Sequence, residues 1–179
     1  MTKDIINIKR ELHKKFLKDY FIIEAFSNDD HSEYLIDKII EGTKEENNRN
    51  FVTNVSGKMT HWQYFANDKI FLKTVSPLLN YLEHQVDLHP YILCEAWGLI
   101  EGLHEYTKKH DHASNVFSGI VYLNDHNQEL FFPEVNIKIK PEKNKIVLFS
   151  AFLKHQADRN FEEDLKYAIA FNCSAKPMP

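Results

Sequence analysis

The feature that most constrains the fold is a change of hydrophobic rhythm after Pro90. Before it, apolar residues recur mainly every three or four positions. After it they fall into short alternating or continuous runs separated by turn residues. The runs are YILCEAWGLI (91–100), a segment around Tyr106–His112, SGIVYLN (118–124), ELFF (129–132), VNIKIK (135–140), KIVLF (145–149) and KYAIAFNC (166–173). Short strands after a helical first half predict an α+β, mostly β fold, an antiparallel sandwich or jelly roll with helices on one side.

In the first half, Ile5, Ile8, Leu12, Phe16 and Tyr20 mark one helical face, and FIIEAF (21–26) breaks that rhythm as a strand. A Ser/Asn/Asp cluster then precedes Tyr34, Leu35, Ile36, Ile39 and Ile40, with Gly42 as a stop, which predicts a second helix. KEENNRN (44–50) reads as a surface loop. A further helix is predicted from about Asp68 to Leu88, with Phe71, Leu72, Val75, Leu78, Leu79 and Leu82 inward and Pro77 placed to kink or shorten it. With 179 residues and no internal repeat, the chain reads as one domain, 1–89 mainly supporting helices and 90–175 the strand core.

A net charge of −4 lacks the basic footprint of a nucleic-acid binder. The opening MTKDIINIKRELHKKF carries charges throughout, unlike a signal peptide, and the apolar run at 91–100 is broken by Glu95 and too short to cross a membrane. The expectation is a soluble, cytoplasmic chain. Cys94 and Cys173 lie far apart without metal-site spacing and read as buried free thiols.

Side chains alternate faces along a strand, so each run has two phases. In KYAIAFN, Tyr167, Ile169 and Phe171 point one way and Lys166, Ala168, Ala170 and Asn172 the other. In SGIVYLN, Val121 and Leu123 are separated from Ser118, Ile120, Tyr122 and Asn124. A small-residue face bearing a lysine, opposite one bearing a tyrosine, suits a ligand cavity; alanines that merely admit large neighbours would read the same.

Of ten histidines, most are scattered singly on polar segments. His110-Asp111-His112 differs, because residues i and i+2 of a strand share a face and two imidazoles can then grip one ion, with Asp111 pointing away. His155, after KIVLF and a short connection, is a rim position from which a third ligand can approach. Eleven residues later Lys166 opens a strand on its small-residue side, where a cation can bind a carboxylate. Taken alone, the histidine pair is a weak motif that reads more readily as metal-free or solvated.

In order and spacing, His110-Asp-His112-ASNVF-Ser118-Gly119-IVYL, then KIVLFSAFLKHQ and KYAIAFN, resembles the double-stranded β-helix 2-oxoglutarate/Fe(II) oxygenases over roughly residues 90–173. The likeness is to a poorly characterised branch common in marine bacteria and phages, and NVSGKMTHW upstream looks like its lead-in. The resemblance implies a double-stranded β-helix with N-terminal supporting helices. It implies Fe(II) on His110, His112 and His155, with 2-oxoglutarate as small-molecule cosubstrate, its distal carboxylate on Lys166 and Tyr122. The implied activity is hydroxylation of an unidentified substrate, a protein or peptide residue or a small molecule, releasing succinate and carbon dioxide. A homodimer is allowed, and the cytoplasm would be the host's if the chain is phage-encoded.

Two departures stand out. Lys166 occupies a position where arginine is common in the branch, and HxH replaces the commoner HxD, which leaves Asp111 in place of His112 as an alternative ligand. His104, Tyr106, Gln156, Arg159 and Asn172 are further candidates for lining the pocket; Tyr106 shares the strand phase of His110 and His112 and reads equally as a packed aromatic, while Arg159, in the acidic stretch ADRNFEED, reads first as a solvated salt-bridging residue. Two other readings stay open, a cupin-like three-histidine metalloprotein or dioxygenase without 2-oxoglutarate and a sheet-sandwich binding module in which the histidines are incidental.

Overall fold

The computed structural model describes residues 7–15, 18–44, 53–85 and 91–176. Its elements, in chain order, begin with β1 (Asn7–Lys15), β2 (Lys18–Phe26), α1 (Ser32–Gly42), β3 (Lys58–Met59) and α2 (Lys69–Gln85). They continue with β4 (Tyr91–Glu101), β5 (Thr107–His110), β6 (Phe117–Tyr122), β7 (Leu130–Phe132) and β8 (Ile137–Ile139), and close with β9 (Lys145–Ser150), β10 (His155–Ala157) and β11 (Lys166–Ala175). One sheet has the order β1-β2-β9-β6-β11-β4-β3, the other β5-β10-β7-β8, and the strands pair antiparallel throughout.

Alternation along the central strands builds both layers. Ile146 and Leu148 of β9, Val121 of β6, and Ile169 and Phe171 of β11 face the helices, packing with Leu35 and Ile39 of α1 and Phe71, Val75, Leu78 and Leu82 of α2. The intervening Val147, Phe149, Tyr122 and Ala168 face the small sheet, meeting Leu130, Phe132 and Ile139. Helix α2 is fixed at its start by Asp68, whose Oδ1 accepts from the Ile70 and Phe71 amides at 2.9 Å each. The expected helix is therefore present, and it runs through Pro77. Gly98 lets α1 close on β4, since a Cβ there would lie 2.4 Å from Ile39 Cγ1. Cys173 is buried and Cys94 half-buried, both as free thiols.

Among the described residues of Ile5–Tyr20 the expected helix is not formed. Residues Asn7–Lys15 are a strand that pairs with β2 from Asn7↔Phe26 to Lys15↔Lys18. Ile8, Leu12, Phe16 and Tyr20 are four apart, a spacing that satisfies a period of two as well as 3.6. Pairing with the exposed edge of β2, itself held by β9, decides between them. Residues 45–50 of the predicted loop and 86–88 of the predicted helix lie outside the described residues. Among the described residues no helix is long and apolar enough to cross a membrane.

Candidate metal centre and adjoining cavity

Strands β5 and β10 pair so that His110 lies opposite His155 and Thr107 opposite Ala157. Three steps on β5 therefore match two on β10, a bulge that places one extra residue on β5 and resets its alternation. Thr107 and His110 consequently both face the interior, although an unbroken strand would separate them. Tyr106, expected inward in phase with His110, lies instead on an outer groove beside Gln156 and Arg159, with the Arg159 guanidinium 5.6 Å from its ring centre. Tyr106 and Gln156 do not line the cavity as candidates would, Arg159 is exposed to solvent as its acidic, turn-rich stretch implies, and His104 is exposed, in contact with Phe161.

His112 lies two residues beyond the end of β5, so strand geometry alone does not aim it. Its amide donates to the Ala151 carbonyl at 2.8 Å, which ties this segment to the end of β9. The imidazoles of His110, His112 and His155 converge, with ring centres 4.4–5.3 Å apart and one ring nitrogen from each within 4.8 Å of the others. Asp111 is exposed, its Oδ1 accepting from the Ala113 amide at 3.2 Å, and it faces an outer basin rather than this cluster.

Two of the three rings are held in one tautomer. With Nδ1 protonated, His110 donates to Lys108 O (2.7 Å) and His155 to Leu153 O (3.1 Å), which leaves each Nε2 lone pair free to ligate. Burial lowers all three imidazole pKa values, that of His155 to about 3 and that of His112 to about 4, and the neighbouring His110 lowers both further. Three neutral imidazoles sharing one focus are suited to a divalent transition metal.

Behind the histidines lies a partly open cavity of about 60 Å³. Its walls include Trp97, Leu99, Ile120, Tyr122, Leu130 and Phe149, and its charged members are Lys166 and Glu101. The pocket-facing phase assigned to Lys166, Ala170, Ser118, Ile120 and Tyr122 is thus the phase observed. His112 stacks edge-on against Trp97, which pairs with Ala170, whereas Lys166 pairs with Glu101 four residues further along the same ladder. That offset is about 13 Å of strand, so the histidine cluster and Lys166 occupy opposite ends.

The Ser118-Gly119 pair has a clear physical basis. Ser118 Oγ donates to Asn172 Oδ1 at 2.7 Å, and Asn172 Nδ2 donates to Glu95 Oε2 at 2.8 Å, so Asn172 braces the mouth as a buried bridge. A Cβ at Gly119 would fall 2.3 Å from Phe171 Cζ. Burial pushes the Tyr122 phenol pKa up, with the carboxylates of Glu101 and Glu24 adding to it, so its hydroxyl remains a donor. Sequence reasoning did not single out Glu101. Its signal was the alternation Trp97, Leu99, Glu101, which puts a carboxylate on the cavity face of β4.

This architecture, a large and a small antiparallel sheet with helices on the large one, is the fold of the 2-oxoglutarate-dependent oxygenases. A viral collagen prolyl hydroxylase from Paramecium bursaria Chlorella virus-1, solved as a 2-oxoglutarate complex, aligns with a TM-score of 0.69 at 17% identity, covering 88% of this chain and 96% of that one. A Trichoplax adhaerens prolyl hydroxylase, bound to a hypoxia-inducible-factor peptide fragment, aligns at 0.60 with 15% identity over 87% and 83% of the two chains. HygX from Streptomyces hygroscopicus, with nickel and 2-oxoglutarate bound, aligns at 0.56 with 13% identity over 84% and 88%. No protein-family model matches the sequence, and no curated protein matches it.

Proposed function

We propose that residues 1–179 act as one cytoplasmic domain, a non-haem Fe(II), 2-oxoglutarate-dependent oxygenase that hydroxylates its substrate. The carrying observation is the convergence of three neutral imidazoles at one end of a cavity whose other end holds a buried ammonium. His110, His112 and His155 would hold one face of the iron and leave the remaining positions for cosubstrate and dioxygen. Bound there, iron would supply oxidative decarboxylation of 2-oxoglutarate to succinate and carbon dioxide, one oxygen atom going to succinate and the other to the substrate.

The chain's own residues position and exclude. Lys166 Nζ and the Tyr122 hydroxyl receive the distal carboxylate, while Trp97, Leu99 and Phe149 keep bulk water from the reacting end. A solvent-facing basin lined by Asn54, Trp62, Glu95, Asp111 and Asn115 adjoins His110 and His112, and offers the primary substrate its approach. The complexes of the viral and HygX neighbours with 2-oxoglutarate support the cosubstrate, and the peptide complex of the Trichoplax enzyme supports a protein or peptide residue as substrate.

One observation favours a second reading. Lys166 is already paired with Glu101, as expected if the cavity belongs to a three-histidine metalloprotein that does not use 2-oxoglutarate. Aerobic incubation of the iron-loaded protein with 2-oxoglutarate and a proline-rich peptide panel separates the two. Succinate formed in step with a peptide mass gain of one oxygen supports the oxygenase; no succinate with iron retained supports the alternative.

A further inference from the structure

Lys166 is not a bare cation waiting for a ligand. Its Nζ lies 2.5 Å from Glu101 Oε2, and both side chains are almost fully buried, at 3% and 1% exposure. The other carboxylate oxygen, Oε1, accepts from Thr107 Oγ1 at 2.8 Å. Glu101 is held at both oxygens by strands on either side, β11 as its direct ladder partner and β5 across the cavity, so it is fixed beside the ammonium. An ammonium has three donors, of which Glu101 takes one, so a second carboxylate can still bind there, but only next to the first.

The charges at the two ends of the cavity differ accordingly. In a two-histidine, one-carboxylate site the negative protein charge sits on the metal. Here the ligand set is neutral, and the one carboxylate among the cavity-lining residues lies at the opposite end. A divalent ion would therefore grip the 2-oxo-acid head of a ligand with its full charge, while the tail meets a cation already neutralised.

We infer that Glu101 is a specificity-determining residue of the cosubstrate pocket, an internal competitor that shares the Lys166 ammonium with the distal carboxylate of a 2-oxo diacid. By competing, it weakens retention of the diacid cosubstrate and of the dicarboxylate product, easing product release. The inference rests on the assignment of Lys166 to the cosubstrate tail.

Calorimetric titration of the Ni(II)-loaded protein with 2-oxoglutarate, 2-oxopentanoate and succinate tests it, in wild type and in Glu101→Gln, which keeps the side-chain shape and an acceptor for Lys166. Removing the like charge should tighten 2-oxoglutarate and succinate roughly tenfold and leave 2-oxopentanoate within about twofold. A purely structural Glu101 would shift all three ligands together or none, and either result overturns the inference, as does selective weakening of the diacids. If Glu101→Gln does not fold, wild type decides alone: a preference for 2-oxoglutarate over 2-oxopentanoate below about tenfold is expected, and one of about a hundredfold or more contradicts it. Wild type that holds nickel yet takes up no 2-oxoglutarate removes the cosubstrate assignment itself, and the inference with it.

Discussion

A buried lysine–glutamate pair resists loss of one member far more than replacement of both, because a lone charge in a dry interior has no compensation. At positions 166 and 101 this has a practical consequence. Lys166→Ala strands the Glu101 carboxylate at 1% exposure and should lower unfolding stability by about 3–5 kcal/mol. The double change Lys166→Met with Glu101→Leu should recover most of that loss. Urea unfolding of both variants checks this; a single variant as stable as wild type would show that the pair is not closed in solution. Loss of cosubstrate binding in Lys166→Ala is accordingly interpretable only beside a fold measurement. The lysine also brings a point charge rather than the planar fork of an arginine, so it can accept two carboxylates at once without a fixed bidentate geometry.

Among the elements, β6, β9 and β11 tie the site to the helix-packed layer. Leu148 of β9 is fully buried against the helices, and truncation to alanine should cost about 2–5 kcal/mol. Gly119→Val should be at least as damaging, since its Cβ alone would meet Phe171 and Leu148 within 2.6 Å; thermal unfolding with and without Ni(II) would show metal binding impaired along with stability. These strands were legible because period-two alternation is strong where one face is apolar and the other lines a cavity. β10 was not, being three residues long and carrying a histidine and a glutamine. The β5 bulge left no mark in the sequence: it reflects pairing with a shorter stretch of β10, and it reversed the expected placement of Tyr106. β1 was misread because its apolar spacing fits two periods. His110, His112 and His155 were legible as a group, whereas Glu101 was hidden because its role depends on which residue of β11 lies opposite.

At the scale of the whole molecule, the three histidines make the metal-free protein sensitive to acid. An unfolded chain binds protons at histidine near 6.5, while in the folded chain burial holds His112 to about 4 and His155 to about 3. Stability from this source is complete above the unfolded value and is lost as pH falls toward the folded ones. Melting temperature of metal-free protein should therefore decline between pH 6.5 and 4, and a His112→Gln/His155→Gln variant should decline less over that window. A bound divalent ion should raise the melting temperature at pH 7.5 and lose that effect in acid, where protons compete for the same nitrogens.

Under the proposed function, one cavity holds a metal on His110, His112 and His155 and a 2-oxo diacid reaching to Lys166. Anaerobic addition of Fe(II) followed by 2-oxoglutarate tests it most directly, because chelation of the 2-oxo-acid head to iron gives a visible charge-transfer absorption. A band that saturates at one iron and one 2-oxoglutarate per chain and disappears in His155→Ala is the expected result. Folded protein with iron bound and no band on adding 2-oxoglutarate would contradict it.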